Sequence, residues 1–351
     1  MPFFYKIESR GETRRRIASK LITLRDQLDR DIPQRTVTDT LLLATWNIRE
    51  FDSDKYGNRG EEAFSYIAEI ISRFDLVAVQ EVREDLSALE TLAGKLGPWW
   101  RFLVTDVTEG RRGNAERMAF LFDGRKVRHG GLAGELVLPP SFSRVEGYAP
   151  TLQFARTPFI AGFRAGWFRF MLSTVHILYG TSEPDDPQRI EEIQKLATLL
   201  KKRARDRNAW SNNLILLGDF NIFNPADPTF LALTDNSFVI PDRIQALPAN
   251  VARNKHYDQI AFMLKRRMDL NQLRAGVFNF FENLYLDDEE QTYMQAMDDG
   301  YHTKSNGQPR TDRQKRSYYR SWRTFQMSDH LPMWVELPIE FGQEYLEGES
   351  G

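Results

Sequence analysis

The sequence of 351 residues contains no cysteine. That absence excludes disulfides, a thiol nucleophile and thiolate metal ligands, and it suits a reducing cytosol, although many secreted bacterial proteins share it. No run of 18 apolar residues occurs, so we expect no membrane-spanning helix. The N-terminus becomes charged at Lys6, too early for a secretory signal. Together these absences predict a cytoplasmic protein.

Neither sign of charge dominates the chain. Basic residues number 47 and acidic residues 49, so the formal net charge is −2. Any binding of nucleic acid must therefore come from local basic patches. The sequence also lacks internal repeats and low-complexity segments. Its hydrophobic fraction of 41% is enough for one large or two modest domains with a core.

Apolar runs typical of buried strands alternate with segments of helical periodicity. Two such runs are residues 41–46 and 214–217. Further strands are predicted at residues 76–79, 118–122, 168–175, 260–263 and 332–337. Helices are predicted at residues 63–71 and from Asp186-Pro187 onward. Two sheets flanked by helices is the economical arrangement of these elements.

Another helix is predicted before the first strand, over residues 14–30. Its apolar residues recur every three or four positions and form one stripe. They are Ile17, Leu21, Leu24 and Leu28. We expect this N-terminal extension, residues 1–40, to pack on the main domain, because a dimerisation seam of two heptads would be marginal.

Eight polar residues stand at the ends of the apolar runs. Each has a side chain of a kind that binds a divalent cation or moves a proton, and a hydrophobic core needs none of them. The eight are Asn47, Glu81, His176, Asp219, Asn221, Asp258, Asp329 and His330. They predict an active site assembled from several strand ends.

Three of these residues are candidate ligands of a metal ion. Glu81 ends a buried run, where a carboxylate is costly unless a cation, a hydrogen-bond donor or water meets it. Asn47 could supply an amide oxygen, and Asp329 a second carboxylate. Oxygen ligands of this kind suit Mg²⁺, Mn²⁺ or Ca²⁺ and not zinc. The alternative for Glu81 is a salt bridge at the end of a strand.

The segment Gly218-Asp219-Phe220-Asn221 follows an apolar strand. Side chains at positions i and i+2 face the same way if the extended conformation continues. Asp219 could then align a water molecule, and the Asn221 amide could donate to a charged oxygen. The alternative is an Asx-type turn that ends the strand.

Only five histidines occur, and two of them, His176 and His330, end apolar runs. Two imidazoles near spare carboxylates suggest a general acid and a general base. Each would need a carboxylate to fix its tautomer, and the candidates are Asp258 and Glu116. The sequence leaves open which carboxylate pairs with which histidine.

In this order along the chain, the motifs resemble those of the endonuclease/exonuclease/phosphatase superfamily, and most of all its deoxyribonuclease I branch. The motifs are Thr45-Trp46-Asn47-Ile48-Arg49, Val79-Gln80-Glu81-Val82-Arg83, His176, Gly218-Asp219-Phe220-Asn221, Tyr257-Asp258-Gln259-Ile260 and Ser328-Asp329-His330. The resemblance implies an α+β fold, a four-layered αββα sandwich of two packed mixed β-sheets flanked by helices. It also implies a catalytic domain over residues 41–340, followed by an acidic tail, 341–351.

The resemblance implies roles for the candidate groups. Glu81 would be the main Mg²⁺ ligand, assisted by Asn47 and Asp329, with Mn²⁺ or Ca²⁺ as alternative ions. His176 with Glu116, and His330 with Asp258, would be the acid and base pairs. Asp219 would position the water, and Asn221 would bind the scissile phosphate. Phosphates would be held by Arg49, Arg83 and Arg156.

The implied function is a Mg²⁺-dependent DNA endonuclease. The sequence leaves the oligomeric state open, with a monomer favoured. A phosphodiesterase or phosphatase for a small-molecule or lipid phosphate is the second possibility, since the same chemistry serves both. A catalytically silent binding module is the third. It is disfavoured because no metal-binding or proton-transfer group is missing.

An insertion at about residues 279–326 has an acidic half and then a basic, aromatic half. We expect Arg316 and Arg320 to bind DNA phosphates, and Tyr318, Tyr319 or Trp322 to stack on unpaired bases. The alternative is a solvated basic loop whose aromatic side chains pack on the core.

Overall fold

A computed structural model of the chain describes residues 2, 7–51, 55–108, 113–139, 153–265 and 268–350. Two β-sheets pack face to face with helices on their outer faces, which confirms the predicted αββα sandwich. Apart from Pro2, the six N-terminal residues considered for a secretory signal lie outside the described residues. No helix within the described ranges is long and apolar enough to cross a membrane.

The first sheet has six strands in the order β10-β11-β1-β2-β4-β3. They are β1 (Thr40–Phe51), β2 (Leu76–Arg83), β3 (Trp100–Val104), β4 (Glu116–Asp123), β10 (Ala275–Val277) and β11 (Met333–Pro338). β1 runs parallel to β2 and antiparallel to β11. The first and last strands of the chain are therefore neighbours at the centre of this sheet.

The second sheet has five strands in the order β5-β6-β7-β8-β9. They are β5 (Val127–Glu135), β6 (Phe159–Ala165), β7 (Phe168–His176), β8 (Leu214–Asp219) and β9 (Asp258–Met263). β7 and β8 are parallel, whereas the other pairs are antiparallel.

Nine α-helices occur in the described residues. They are α1 (Gly11–Asp31), α2 (Glu61–Ile71), α3 (Ser87–Leu96), α4 (Pro187–Arg205), α5 (Pro228–Thr234), α6 (Asp242–Gln245), α7 (Glu290–Tyr293), α8 (Asp312–Gln326) and α9 (Gly342–Ser350). Helix α4 begins as its sequence indicates, because the Asp186 side chain accepts the backbone N–H groups of Gln188 and Arg189. The acidic tail is helical, since α9 occupies most of it.

The alternation of side chains along β1 divides the core in two. Leu41 and Leu43 belong to the core between the sheets. Leu42 and Ala44 belong to the core between the first sheet and helices α1, α2, α3 and α8. Both faces of the strand are buried, and this is why its sequence is a continuous apolar run without polar alternation.

Helix α1 and the insertion share the outer face of the first sheet. The buried stripe of α1 lies in the same core as Tyr319 and Trp322 of the insertion. Glu62 of α2 links the two segments, because it pairs with Arg16 at 2.8 Å and accepts the hydroxyl of Tyr293 at 2.8 Å. The N-terminal extension and the insertion therefore pack together on the first sheet, which carries half of the predicted site.

Candidate active site

Strands from both sheets end at one edge of the sandwich, where a cleft of about 550 Å³ opens. In the second sheet His176, Asp219 and Asp258 lie directly opposite one another on adjacent strands. The cleft is lined by Arg49, Glu50, Glu81, Arg83, Asn114, Glu116, Arg156, His176, Tyr179, Asp219, Asn221, Tyr257, Asp329 and His330. Two predicted site residues, Asn47 and Asp258, are fully buried and contact residues of this lining.

Irregular backbone aims several side chains into the cleft. The pairing of β2 with β4 shifts register between Val79 and Val82, and Glu81 lies within that bulge at φ +61°. Asn221 has φ +53°. Gly218 has φ +133°, and a Cβ atom there would lie 2.2 Å from the carbonyl oxygen of Val175. Only glycine fits that position, so the glycine before Asp219 is a steric requirement.

The first imidazole is held by a buried carboxylate. His176 Nδ1 lies 2.8 Å from Glu116 Oε2. Burial raises the pKa of Glu116, but the charges of His176 and Arg156 lower it more strongly, to about 2. Burial and the charge of Arg156 lower the pKa of His176, yet Glu116 and Asp219 hold it above its ordinary value. The pair therefore favours an ionised carboxylate beside a protonated ring.

The second imidazole has the same arrangement from another strand. His330 Nδ1 lies 2.8 Å from Asp258 Oδ2. Burial lowers the pKa of His330, but Asp258 and Asp219 together raise it well above its ordinary value. Burial raises the pKa of Asp258 to about 6. The structure thus resolves the pairing that the sequence left open, His176 with Glu116 and His330 with Asp258.

The carboxylate of Asp219 lies between the two rings. Its Oδ2 is 3.6 Å from His176 Nε2 and 3.7 Å from His330 Nε2. These separations are longer than a hydrogen bond, so the two rings and the carboxylate leave a space between them. Asp219 is fixed by the Asn47 side chain at 3.0 Å and by the backbone N–H of Asn221 at 2.9 Å.

Of the three predicted metal ligands, Asn47 and Glu81 contact each other. Asn47 Nδ2 donates to Glu81 Oε1 at 2.8 Å, and the backbone N–H of Glu50 donates to Glu81 Oε2 at 2.7 Å. Asn47 Oδ1 is buried and has no hydrogen-bond partner in the described part of the chain. Asp329 is half-exposed and lies 3.7 Å from a nitrogen of Arg49.

Within the described ranges, no group of three or more His, Cys, Asp or Glu side chains could by itself hold a metal ion. Mg²⁺ does not need such a group, because it keeps several waters and binds through one or two carboxylates. The Glu81 carboxylate beside the unpartnered oxygen of Asn47 fits a hydrated Mg²⁺. A cation there would replace the present contact between the Asn47 amide nitrogen and Glu81.

Three arginines predicted to hold phosphates reach the cleft. Arg49 is fixed by Thr324 Oγ1 at 2.6 Å and lies 4.1 Å above the ring of Phe325. Arg83 donates to the carbonyl of Asn114 at 3.3 Å. Arg156 is buried, with Nε 2.8 Å from Glu116 Oε2. Its Nε is committed to this ion pair, whereas its Nη1 is buried and has no hydrogen-bond partner among the described residues, so the guanidinium keeps one uncommitted donor at the wall of the cleft.

Asn221 is less available than predicted. Its side-chain nitrogen donates to the backbone carbonyl of Ile177 at 2.8 Å. Its backbone carbonyl accepts from the buried Arg189 side chain at 2.9 Å. The Asx-type contact weighed as the alternative also forms, since Asp219 Oδ1 accepts the Asn221 backbone N–H. The turn and the cleft position coexist, because Asn221 still lines the cleft.

The insertion corrects one prediction. Tyr318, Tyr319 and Trp322 are buried in the core of the first sheet, so the prediction that they stack on bases is wrong. Arg316 lies 3.9 Å from Glu290 of the acidic half. Arg320 pairs with Asp287 of the same half at 3.1 Å.

Neither Arg316 nor Arg320 lines the cleft. The physical reason is the spacing of the aromatic residues. It places them on one face of α8, and burying that face turns the arginines toward solvent and the neighbouring acids.

Ser328 and Tyr257 also shape the site, although no role was predicted for either from the sequence. Ser328 Oγ donates to the carbonyl of Asn47 at 2.6 Å and accepts the backbone N–H groups of Arg49 and His330 at 3.2 and 3.0 Å. It therefore ties the end of β1 to the loop before β11. Tyr257 stacks on His330 with ring centroids 5.4 Å apart. The available signal was proximity, since Ser328 and Tyr257 each adjoin a predicted site residue.

Comparison with known proteins gives one family. The model described as "Endonuclease/Exonuclease/phosphatase family" matches residues 44–244, more than half of the chain. A deoxyribonuclease from Thioalkalivibrio sp. (strain K90mix) is 33% identical over 196 residues, which are 54% of this chain and 48% of that protein. Deoxyribonuclease-1 from Oryctolagus cuniculus is 27% identical over 193 residues, 53% of this chain and 62% of that protein. The chain thus spans from about half to three-fifths of the length of these relatives.

A solved structure agrees in fold. It is an endonuclease/exonuclease/phosphatase family protein from Bacteroides thetaiotaomicron, with a TM-score of 0.53 and 17% sequence identity. The match covers 88% of this chain and 98% of that one. At this identity the likeness supports the sandwich architecture and leaves the substrate open.

Proposed function

Since the chain belongs to the Endonuclease/Exonuclease/phosphatase family, we propose that it is a metal-dependent phosphodiester hydrolase that cleaves DNA internally. The observation that carries the proposal is the pair of imidazoles converging on one carboxylate. His176 Nε2 and His330 Nε2 lie 3.6 and 3.7 Å from Asp219 Oδ2, and each ring is oriented from behind by its own buried carboxylate. Such a pair can accept one proton and donate another on opposite sides of a phosphorus atom.

The reaction is in-line attack of water on the phosphodiester. Asp219 and His330 position the water. His330 must first lose the proton that its raised pKa retains, and its neutral ring then accepts the proton of the water as the new P–O bond forms. His176 donates a proton to the leaving oxygen as the old P–O bond breaks. Glu116 and Asp258 hold the rings in the tautomers that these transfers need. Arg156 and Asn221 line the cleft, where negative charge develops on the phosphate oxygens. Arg156 supplies positive charge there, and the Asn221 amide has a second N–H besides the one that it donates to Ile177.

Glu81 would hold Mg²⁺, with the Asn47 oxygen and Asp329 assisting. When bound, Mg²⁺ supplies positive charge against the extra negative charge of the transition state. Mn²⁺ could replace it, because both ions accept the same oxygen ligands.

DNA is proposed as the substrate on two grounds. Arg49, Arg83 and Arg156 line the cleft beside its carboxylates, so cations that can contact the phosphates of a nucleic acid are present at the site although the whole chain is not basic. The two curated relatives carry the name deoxyribonuclease. Together these features favour a polymeric, anionic substrate over a neutral one.

A phosphodiesterase or phosphatase for a small phosphate ester is the second candidate. The cleft volume of about 550 Å³ is that of a small-molecule site. The insertion arginines, which would have extended a polymer-binding surface, lie outside this lining.

A substrate panel tests the proposal. Supercoiled plasmid, single-stranded DNA, RNA and an aryl phosphodiester would be incubated with Mg²⁺ and with chelator. We expect plasmid nicking that requires metal and that falls about 10²- to 10⁴-fold in His176→Ala and His330→Ala. His302→Ala is the matched control, because His302 is exposed and does not line the cleft. Turnover of the small ester alone would establish the second candidate, and inactivity on every substrate would favour a binding module.

A further inference from the structure

Three arginines stand side by side across the second sheet, at the end of the strands far from the cleft. Arg128 on β5 is directly opposite Arg164 on β6, and Arg164 is directly opposite Arg169 on β7. Residues paired in this way project to the same face of a sheet. All three side chains are exposed. These three residues are called the arginine ladder below.

The ladder carries charge without compensation. Like charges placed directly opposite each other destabilise a sheet. Within the described ranges no carboxylate pairs with any of the three; Arg164 donates to the carbonyl of Gly166, and Arg169 lies 4.0 Å over the ring of Trp210. Elsewhere in the structure exposed arginines do find acids, as Arg320 finds Asp287. A row of facing cations is costly unless a polyanion meets it.

A cavity of about 390 Å³ adjoins the ladder. Arg128 and Arg164 line it together with Trp167, whose side chain is 53% exposed. Two further cations in its wall, Arg125 and Lys126, are already neutralised by carboxylates at 2.5 and 2.7 Å. The carboxylate in the wall, that of Glu340, accepts the backbone N–H of Gly342 at 2.6 Å. The unpaired cations and an exposed indole therefore share one concave surface.

The third arginine is fixed in place before any ligand arrives. Trp210 lies flat against the sheet where Gly130 and Gly162 leave room, since a Cβ atom on either glycine would come within 2.1 and 2.9 Å of its ring. Arg169 rests on that ring. This support holds the guanidinium in the row at a low cost in side-chain entropy.

We infer that the arginine ladder and Trp167 form a second nucleic-acid-binding surface, which takes the phosphodiester backbone of a single strand and stacks one base on Trp167. Adjacent strands are ~4.8 Å apart, so the three arginines occupy backbone positions in a row about 10 Å long. Guanidinium groups match phosphate oxygens bidentately, and an indole stacks on any base. The inference rests on the proposed function only in the choice of nucleic acid as the polyanion.

The ladder is remote from the chemistry. Arg169 and His176 are seven residue steps apart on β7, a distance of about 23 Å along the strand. A group there cannot touch the phosphate being hydrolysed. It would hold a distal part of the same substrate, and so lengthen the time that the protein stays on one molecule.

Binding of a fluorescein-labelled single-stranded oligonucleotide, followed by anisotropy in chelator over a salt series, tests the inference. In the double variant Arg128→Gln/Arg164→Gln we expect the slope of log affinity against log salt to fall by about 1.4, or 0.7 for each phosphate that the variant no longer neutralises. Arg14→Gln/Arg15→Gln removes equal charge from exposed positions on α1 and should leave the slope unchanged. Trp167→Ala should weaken binding about 5- to 150-fold without changing the slope.

Two further measurements distinguish loss of the binding surface from a loss of stability or damage to the cleft. The melting temperature of the double variant should not fall, because the substitution relieves repulsion, and hydrolysis of an aryl phosphodiester should be unchanged, because the cleft is untouched. An unchanged slope, an equal decrease in the α1 control, or weaker binding to phosphatidylglycerol vesicles with normal oligonucleotide binding would each overturn the inference. Wild-type protein that hydrolyses no ester, but whose binding slope still depends on the ladder, would refute the proposed function alone.

Discussion

The cleft and the insertion at residues 279–326 are both rich in charge, and they use it in opposite ways. In the cleft, buried charges from distant parts of the chain meet, as His330 and Asp258 do at 2.8 Å. In the insertion, acids and arginines of one short segment neutralise each other at the surface, while the aromatic residues build core. Charge density along a sequence therefore does not locate a site. Single polar residues at the ends of apolar runs do, because burying them is costly without compensation.

The largest expected effect is on stability, in the insertion. Trp322→Ala should lower the free energy of unfolding by about 3–5 kcal/mol, because it empties a buried aromatic position. Urea denaturation measures this decrease. Normal stability combined with weaker DNA binding would show instead that the ring of Trp322 contacts DNA. The insertion would then bind ligand as the cleft does.

Metal binding should distinguish a cleft carboxylate from an insertion carboxylate. Glu81→Gln should weaken Mg²⁺ or Mn²⁺ binding by at least about 10- to 100-fold, the effect found even for groups that only support a ligand. Asp287→Asn, which changes an acid of the insertion, should leave metal affinity unchanged. Titration calorimetry of both variants gives the comparison, and equal affinities would rule Glu81 out as the principal ligand.

Ser328 joins the two regions, because it lies between α8 and β11 and contacts the end of β1. Ser328→Ala should cost about 1–3 kcal/mol of stability, since it leaves buried backbone groups without partners. It should also lower kcat, because Arg49 and His330 lose a shared support. Ser321→Ala on α8 is the control, with an expected change within about 0.5 kcal/mol. The two variants behaving alike would contradict the role given to Ser328.

The buried carboxylate of Glu116 should appear in the pH dependence of stability. Its pKa falls from 4.5 to about 2 on folding, so its ionised form stabilises the native state above pH 4.5. This contribution should disappear as pH falls from about 4.5 to 2. Chemical denaturation across that window should show a shallower decline for Glu116→Gln than for wild type. Parallel curves would mean that Glu116 does not hold a depressed pKa.

The smallest effect is expected from the insertion arginines. Arg316→Ala and Arg320→Ala remove exposed ion pairs, which are worth about 0–1 kcal/mol. Stability and the salt dependence of DNA cleavage should therefore change little. A clearly flatter salt dependence would restore the interpretation drawn from the sequence, in which these residues bind DNA.

Sequence patterns predicted features that depend on neighbouring residues along the chain, such as strands and the polar residues at their ends. The apolar runs indicated seven of the eleven strands in the described residues, and the polar residues that end them, such as Glu81 and His176, lie in one cleft. Contacts set by tertiary register could not be predicted. Thr324 fixes Arg49 across 275 residues, and the ladder exists only because β5, β6 and β7 pair as they do.

The burial of the aromatic residues agrees with the part of the alternative prediction in which they pack on the core. Tyr318, Trp322 and Phe325 recur at helical spacing, which predicts a packed helix face rather than a stacking platform.

The position of β11 also affects how activity can arise during biosynthesis. β1 lies between β2 and β11, and His330 immediately precedes β11. A nascent chain that ends before residue 330 has only one of the two cleft imidazoles, and it presents β1 as an open edge for chaperones or other chains to bind. In the proposed mechanism, we therefore expect a chain that terminates before residue 330 to be an inactive fragment.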